Sequence, residues 1–294
     1  MMNTKPKYQQ IYVEITNICN LRCPFCLPTK RPTKQMSLTE VKEIAEKIKN
    51  YTHSVYLHVK GEPLMHRNLK EIIDIFKSYN IKVKITTNGI GINKHLDYLL
   101  NNEGINKINI SLQSVHNMNM VDIRKYFTEL SELLFNTTKT HIYLRNWALD
   151  LESKKILEDE LKNIFPKAQL NDGELLKEFV HYSIAERFEW PTTDAIECEP
   201  SKCLGGKSQI GILSDGTVVL CCLDTDGDTN LGNIFESDLE SIITSDKYKD
   251  AVNKMPYLEL CKKCTYRLRF KKWGILNESQ INYWLWIRRT SSWD

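Results

Sequence analysis

The sequence predicts an α/β fold: a partial, open barrel of six β/α units, followed by a small module of one β-hairpin and a short helix. Three observations predict it. Short β-rich runs alternate with amphipathic stretches of helical length through the first two thirds of the chain, the pattern of parallel βαβ units. The units number six, too few for a complete eight-fold barrel. After Arg187 the alternation stops, and an Asp-Gly turn between two alternating runs signals a hairpin.

The elements follow in order. Residues 11–15 read as the first strand. Ser37 or Thr39 caps a helix that runs to about Asn50, with Glu40 placed to complete the cap. Residues 54–59 form the second strand, and residues 68–79 a helix with Leu69, Ile72, Ile73 and Phe76 at helical spacing. Residues 81–86 alternate as the third strand, 94–101 are helical, and 108–112 form the fourth strand. A helix over 122–135, a fifth strand over 141–145, a helix over 153–165 and a sixth strand over 178–183 complete the barrel. Residues 188–191 read as a linker or docking segment. The hairpin spans 209–213 and 217–222 around Ser214-Asp215-Gly216, and a short helix covers 238–245. The chain divides into a core over residues 8–187, an extension over 188–265 and a basic, tryptophan-rich tail over 266–294.

Composition sets the outer limits. With 294 residues and 41% hydrophobic content, a substantial core forms and wholesale disorder is excluded. A net charge of +3 is too mild to mark a nucleic-acid binder. No stretch reaches the length of a membrane span, and the N-terminus lacks the apolar run of a signal peptide. A cytoplasmic location without membrane contact is therefore expected, and in a reducing compartment the clustered cysteines among the nine read as metal ligands rather than disulfides.

Cys19, Cys23 and Cys26 stand at C-x₃-C-x₂-C spacing directly after the first strand. Three thiolates in eight residues cannot complete one tetrahedral zinc without a distant fourth ligand. They can hold three irons of a [4Fe–4S] cube and leave the fourth iron open. Phe25 sets an aromatic ring beside the last cysteine. A second set, Cys203, Cys221, Cys261 and Cys264, provides two ligands from the hairpin region and two from a C-x₂-C pair, a complete four-thiolate site. Zinc is the physical alternative for this second set.

The first set resembles the signature of the radical S-adenosylmethionine (SAM) enzymes, C-x₃-C-x-aromatic-C. The resemblance implies a TIM-type partial barrel in which Cys19, Cys23 and Cys26 bind a [4Fe–4S] cluster and SAM chelates its open iron. One electron then splits the sulfonium, and the resulting 5′-deoxyadenosyl radical takes a hydrogen from the substrate. Gly61, Glu62 and Pro63 resemble the family's Gly-Gly-Glu element, which binds the SAM amino group, although Lys60 replaces the first glycine. By the same resemblance Thr87, Asn88, Ser111, Gln113 and Arg145, at the ends of later strands, are expected around the SAM ribose and carboxylate. The spacing of Cys203, Gly216 and Cys221, twelve and then four residues apart, with the later Cys261-x₂-Cys264, resembles the SPASM/twitch extensions that hold an auxiliary [4Fe–4S] cluster. The short twitch version with one cluster fits, and Cys221 meets the spacing where the adjacent Cys222 does not.

Two clusters imply a two-electron oxidation, with the auxiliary cluster as electron acceptor. The cysteine layout is similar to that of an inosamine dehydrogenase in butirosin biosynthesis, so a small polyol or amino-sugar-like substrate is the leading expectation. An external one-electron donor such as flavodoxin or ferredoxin is implied. The basic, aromatic run from Arg267 to Trp273 keeps peptide or RNA modification open. A non-enzymatic zinc scaffold is the reading from another class.

Overall fold

Chain direction and side-chain alternation together build one long sheet. The computed structural model describes residues 6–115, 118–147, 150–184, 188, 190–191, 195, 197–199 and 203–267. Strands β1 (Gln10–Val13), β2 (Ser54–Tyr56), β3 (Lys82–Thr87), β4 (Ile105–Ser111) and β5 (His141–Asn146) lie side by side and parallel, and β7 (Val180–Ile184) follows β5 as the sixth parallel strand. Helices α1 (Leu38–Ile48), α2 (Leu69–Ser78), α3 (Leu96–Asn101), α4 (Met120–Asn136) and α5 (Leu151–Ile164) supply the crossovers. The sheet stays open, as six units predict.

Local chemistry sets these elements. Ser37 caps α1 reciprocally with Glu40: the Ser37 hydroxyl accepts from Glu40 N at 3.2 Å, and Ser37 N donates to the Glu40 carboxylate at 2.7 Å. Val41, Ile44, Ala45 and Ile48 then form the buried face of α1. Along each strand the side chains alternate. Val83, Ile85, Ile108, Ile110, Ile142 and Leu144 are buried in one core with Ile44, Phe76, Phe127 and Leu130 of the helices. On the other face Lys84, Thr86, Asn109, Tyr143 and Arg145 line a cavity.

Several boundaries differ from the sequence-based expectation. The second strand leaves the ladder after Tyr56, and residues 57–60 already belong to the loop that carries Gly61 and Glu62. A short strand β6 (Leu175–Lys177), antiparallel to β7, precedes the sixth parallel strand, and left-handed Phe179 (φ 67°) makes the turn between them. Ser245 ends α6 (Leu239–Thr244) and caps a further helix, α7 (Asp246–Lys254), by accepting from Tyr248 N at 3.1 Å. That helix buries Tyr248 as its single buried residue, so no apolar period marks it in the sequence. A last short helix, α8, covers Glu259–Lys262.

The hairpin β8 (Gln209–Ile212) and β9 (Thr217–Val219), with β10 (Gly232–Asn233), continues the same sheet, because β8 pairs in parallel with β1 from Gln10↔Gln209 to Val13↔Ile212. Gly216 turns the hairpin at φ +89°, where a Cβ would stand 2.4 Å from the Phe235 ring. Among the described residues no helix is long and apolar enough to cross a membrane.

One buried ion pair joins the two parts. Glu14, fully buried, accepts from Arg31 Nη2 at 2.8 and 2.6 Å, from Lys60 N at 3.0 Å and from Ser214 N at 3.0 Å. Arg31 donates onward to Thr225 O at 2.9 Å and to the Ser214 hydroxyl at 3.3 Å. Replacing Arg31 by Met strands the Glu14 charge and is expected to cost about 3–5 kcal/mol of stability. The double variant Glu14→Gln/Arg31→Met is expected to recover much of that loss in chemical denaturation.

Candidate active site

The first cysteine loop leaves β1 through a polar neck. Asn17 Nδ2 donates to Pro32 O at 2.8 Å, Lys34 N donates to Asn17 Oδ1 at 2.8 Å, and the Thr16 hydroxyl donates to Lys34 O at 3.1 Å. Within the loop Cys26 N donates to Cys23 O at 3.0 Å, a turn that brings these two cysteines to one side. Cys19 and Cys26 are exposed and Cys23 is half-buried. Burial, helped by the neighbouring thiols, pushes the Cys23 thiol up to about 11. Metal binding reverses that preference, since a ligand cysteine is a thiolate.

The loop after β2 docks directly on this neck. Gly61 has φ +77°, and a Cβ there would stand 2.2 Å from Thr16 O and 2.9 Å from the Asn17 Cα. Glu62 N donates to Ile18 O at 2.9 Å. The buried Glu62 carboxylate accepts from Leu64 N at 3.0 Å, from the Thr87 hydroxyl at 2.6 Å and from Asn88 N at 2.7 Å. Burial raises its pKa to about 6 against the opposing pull of these donors. Pro63 opens the short 3₁₀ turn Pro63–Met65, which Glu62 caps. Asn88 reaches back to the cysteine loop, with Nδ2 donating to Asn20 Oδ1 at 2.8 Å and lying 3.9 Å from Cys19 Sγ.

Gly61, Glu62, Thr87, Asn88, Ser111, Gln113 and Arg145 therefore lie along one face with the cysteine loop, and Ser111 stands in register with Arg145 on the neighbouring strand. Pro63 sits just behind, buried under that face. Among the described residues the buried Gln113 Oε1 has no hydrogen-bond partner, an acceptor available to a ligand. His58 is half-buried near Arg145; desolvation and then that cation hold its pKa down to about 3, so the ring is neutral. His66 is structural: its ring bonds Met36 O at 3.0 Å and accepts from Asn68 N at 3.1 Å. Phe25 turns into an aromatic layer, with its ring centroid 5.5 Å from that of Trp147.

The second cysteine set gathers across the same space. Cys203, Cys221, Cys261 and Cys264 lie close enough to perturb one another, and burial, then Cys203 and Cys264, pushes the Cys261 thiol up to about 12. Adjacent Cys222 packs on Val59, Leu213 and Val219 beside Tyr12, and also on the aromatic cluster that Cys221 and Cys264 touch. Cys198 is woven into the C-x₂-C loop, its N donating to Lys262 O at 2.7 Å and its thiol to Cys264 O at 3.2 Å. The Asp224–Asp228 stretch is an acidic turn, with the Asp224 carboxylate accepting from Gly227 N, Asp228 N and Thr229 N.

All seven ligand candidates line one cavity of about 2830 Å³. An aromatic layer of Phe25, Trp147, Phe188, Trp190 and Tyr266 packs against Cys23 of the first set and Cys221 and Cys264 of the second, with Cys222 beside them. Among the described residues no three His, Cys, Asp or Glu side chains gather closely enough to hold a bare metal ion. Thiolate-only donor sets are the chemistry that holds an iron–sulfur cube. Glu14, Arg31, Trp147 and Trp190 escaped sequence reasoning. A carboxylate at the end of an apolar strand was the one available signal, for Glu14. Of the basic run that keeps RNA modification open as an alternative, residues 268–273 lie outside the described residues.

Comparison with known proteins agrees with this geometry. The family described as the radical SAM superfamily matches residues 13–133, and the family described as an iron–sulfur cluster-binding domain, SPASM, matches residues 203–265. A GTP 3′,8-cyclase of Synechocystis sp. is 31% identical over 189 residues, covering 62% of this chain and 52% of that protein. A second, of Chlorobaculum tepidum, is 29% identical over 130 residues, covering 42% and 39%. The matched stretch thus spans about half or less of these relatives. Among solved structures, BtrN in complex with AdoMet and 2-DOIA has a TM-score of 0.54 at 17% identity, covering 88% of this chain and 93% of that one. Streptococcus suis SuiB bound to precursor peptide SuiA has a TM-score of 0.60 at 18% identity, covering 87% and 71%. At such identities the likeness is one of fold.

Gly61→Ala is expected to cost about 1–3 kcal/mol, since the new Cβ has no room against the cysteine-loop backbone and the φ is unsuited to alanine. Thermal denaturation together with iron retention on desalting checks this.

Proposed function

We propose that this chain, which belongs to the radical SAM superfamily and carries a SPASM-type extension, performs a SAM-dependent two-electron oxidation of a small polyol or amino-sugar-like molecule. The two domains imply two [4Fe–4S] clusters and SAM as cofactors. When bound, the first cluster supplies the electron that splits the sulfonium, and the second takes up the electron left on the substrate.

The chain's own residues carry the remaining roles. Cys19, Cys23 and Cys26 hold the first cluster, and Cys203, Cys221, Cys261 and Cys264 hold the second. Glu62, already oriented by Thr87 and Asn88, receives the SAM ammonium. Ser111, Gln113 and Arg145 face the ribose and carboxylate, where a guanidinium is the better partner for a planar anion. The aromatic layer of Phe25, Trp147 and Phe188 limits water between the two sets. Polar inner-wall residues such as Thr86 and Asn109 suit a hydroxyl-rich substrate. The core spans residues 8–187, the auxiliary domain 188–265 and the tail 266–294. An external one-electron donor such as flavodoxin or ferredoxin serves the first cluster, in the cytoplasm.

One observation carries this reading: both thiol sets open on the same cavity. The fold shared with BtrN, solved in complex with AdoMet and 2-DOIA, favours a small-molecule substrate. Peptide modification is the second reading, favoured by the fold shared with SuiB bound to its precursor peptide. Rearrangement of a nucleotide, as the name of the GTP 3′,8-cyclases has it, is a third outcome that product analysis distinguishes.

Deuterium on the oxidised carbon of the polyol substrate is expected to appear in 5′-deoxyadenosine. Cys261→Ala is expected to remove about half the iron, because one of two equal clusters is lost, while uncoupled SAM cleavage persists. Unchanged iron in that variant rejects the auxiliary assignment. SAM binding is expected to weaken roughly tenfold per pH unit below about 6, as the Glu62 carboxylate takes up a proton and loses its attraction for the ammonium. Equilibrium dialysis at several pH values, compared with Glu62→Gln, reads this.

A further inference from the structure

Lys60 stands where the SAM-binding element of the family begins with glycine. We propose that Lys60 is a positioning residue for the first cluster: its ammonium donates to the Cys26 sulfur and raises the reduction potential of the cluster held there. The proposal rests on Cys19, Cys23 and Cys26 holding that cluster.

The geometry fixes the amine in place. Lys60 is 6% exposed, and its backbone N donates to the buried Glu14 carboxylate. Nζ donates to Leu27 O at 2.5 Å, lies 3.5 Å from Cys26 Sγ, and sits over the Trp190 ring at 4.2 Å from its centroid. Trp190 is itself pinned to the cysteine loop, its indole N–H donating to Phe25 O at 3.0 Å. A carbonyl, a sulfur and a ring face thus surround the ammonium.

Among the described residues that set of partners is short of negative charge. A carbonyl and a π face offset part of the cost of burying a cation, and a full anion offsets more. Cys26 supplies that anion once it is a thiolate on iron. The coupling runs both ways. Reduction adds one electron, delivered by an external one-electron donor protein, and spreads negative charge onto the ligand sulfurs. A fixed cation beside one of them favours the reduced form and moves the potential upward. Only an electron moves, and no bond is made or broken. The partners of metal-bound thiolates tune a site in this way generally.

The test uses the whole chain, purified without oxygen and singly reduced. With nitrogen-15 at the lysine ε-nitrogens, pulsed EPR is expected to show a nitrogen-15 modulation on the cluster signal that changes when SAM is added. Lys60→Arg protein, labelled in the same way, is expected to lack it. In potentiometric titration Lys60→Met is expected to shift the midpoint of that signal to a more negative value, while Lys60→Arg, which keeps the charge, stays near the parent. Absence of the modulation in the parent, or a fully iron-loaded Lys60→Met with an unchanged midpoint, overturns the proposal. If Lys60→Met does not retain iron, the labelled parent decides. A parent without iron and sulfide overturns the functional reading as well, whereas a parent containing both but giving no modulation overturns the role of Lys60 alone.

Discussion

A single buried carboxylate ties the structure together. Glu14, at the end of the first strand, takes hydrogen bonds from Arg31, Lys60 and Ser214. Those three residues belong to the exit of the cysteine loop, to the loop that presents Glu62, and to the hairpin turn of the C-terminal extension. A buried ion pair gains little over well-packed apolar groups, but it tolerates no mismatch, because either partner left alone is a stranded charge. The arrangement therefore sets orientation more than stability: three loops far apart in sequence hold one mutual position.

The second constraint is steric. Gly61 lets the backbone of the Glu62 loop lie against Thr16 and Asn17 at a distance no side chain permits. Contact at that range couples the thiol loop to the carboxylate, so cluster and ammonium sites move as a unit. Glu62 is oriented by its own neighbours before any ligand arrives, and its raised pKa is the consequence of being buried there. The same side of the barrel offers Gln113 Oε1, an acceptor with no protein partner among the described residues. A preoriented anion beside an open acceptor suits a ligand that carries both an ammonium and hydrogen-bond donors.

The extension is continuous with the barrel. Because β8 pairs with β1, the sheet that carries the first cysteine loop also carries the hairpin preceding Cys221. The two thiol sets then face one cavity across a layer of aromatic rings. Rigid rings held edge to face restrict water there and keep electrostatic interactions strong. Lys60 lies at that boundary, its ammonium between the cysteine loop and Trp190.

Much of this was written in local pattern. The period-two runs, the Ser37–Glu40 cap and the Asp215-Gly216 turn each act over a few residues, so the sequence alone determined the strands, helices and hairpin to within a few positions. Cysteine spacing likewise pointed to both thiol sets, since a loop ligand set is encoded by short separations. Helix α7 escaped because a helix burying only Tyr248 leaves no apolar period. The pairing of β8 with β1, the burial of Glu14 against Arg31 and the approach of Lys60 to Cys26 join residues separated by 17 to 199 positions. No local rule encodes such meetings. They are decided by which loops the packing of the open sheet brings together, and by the cost of leaving a buried charge without its partner.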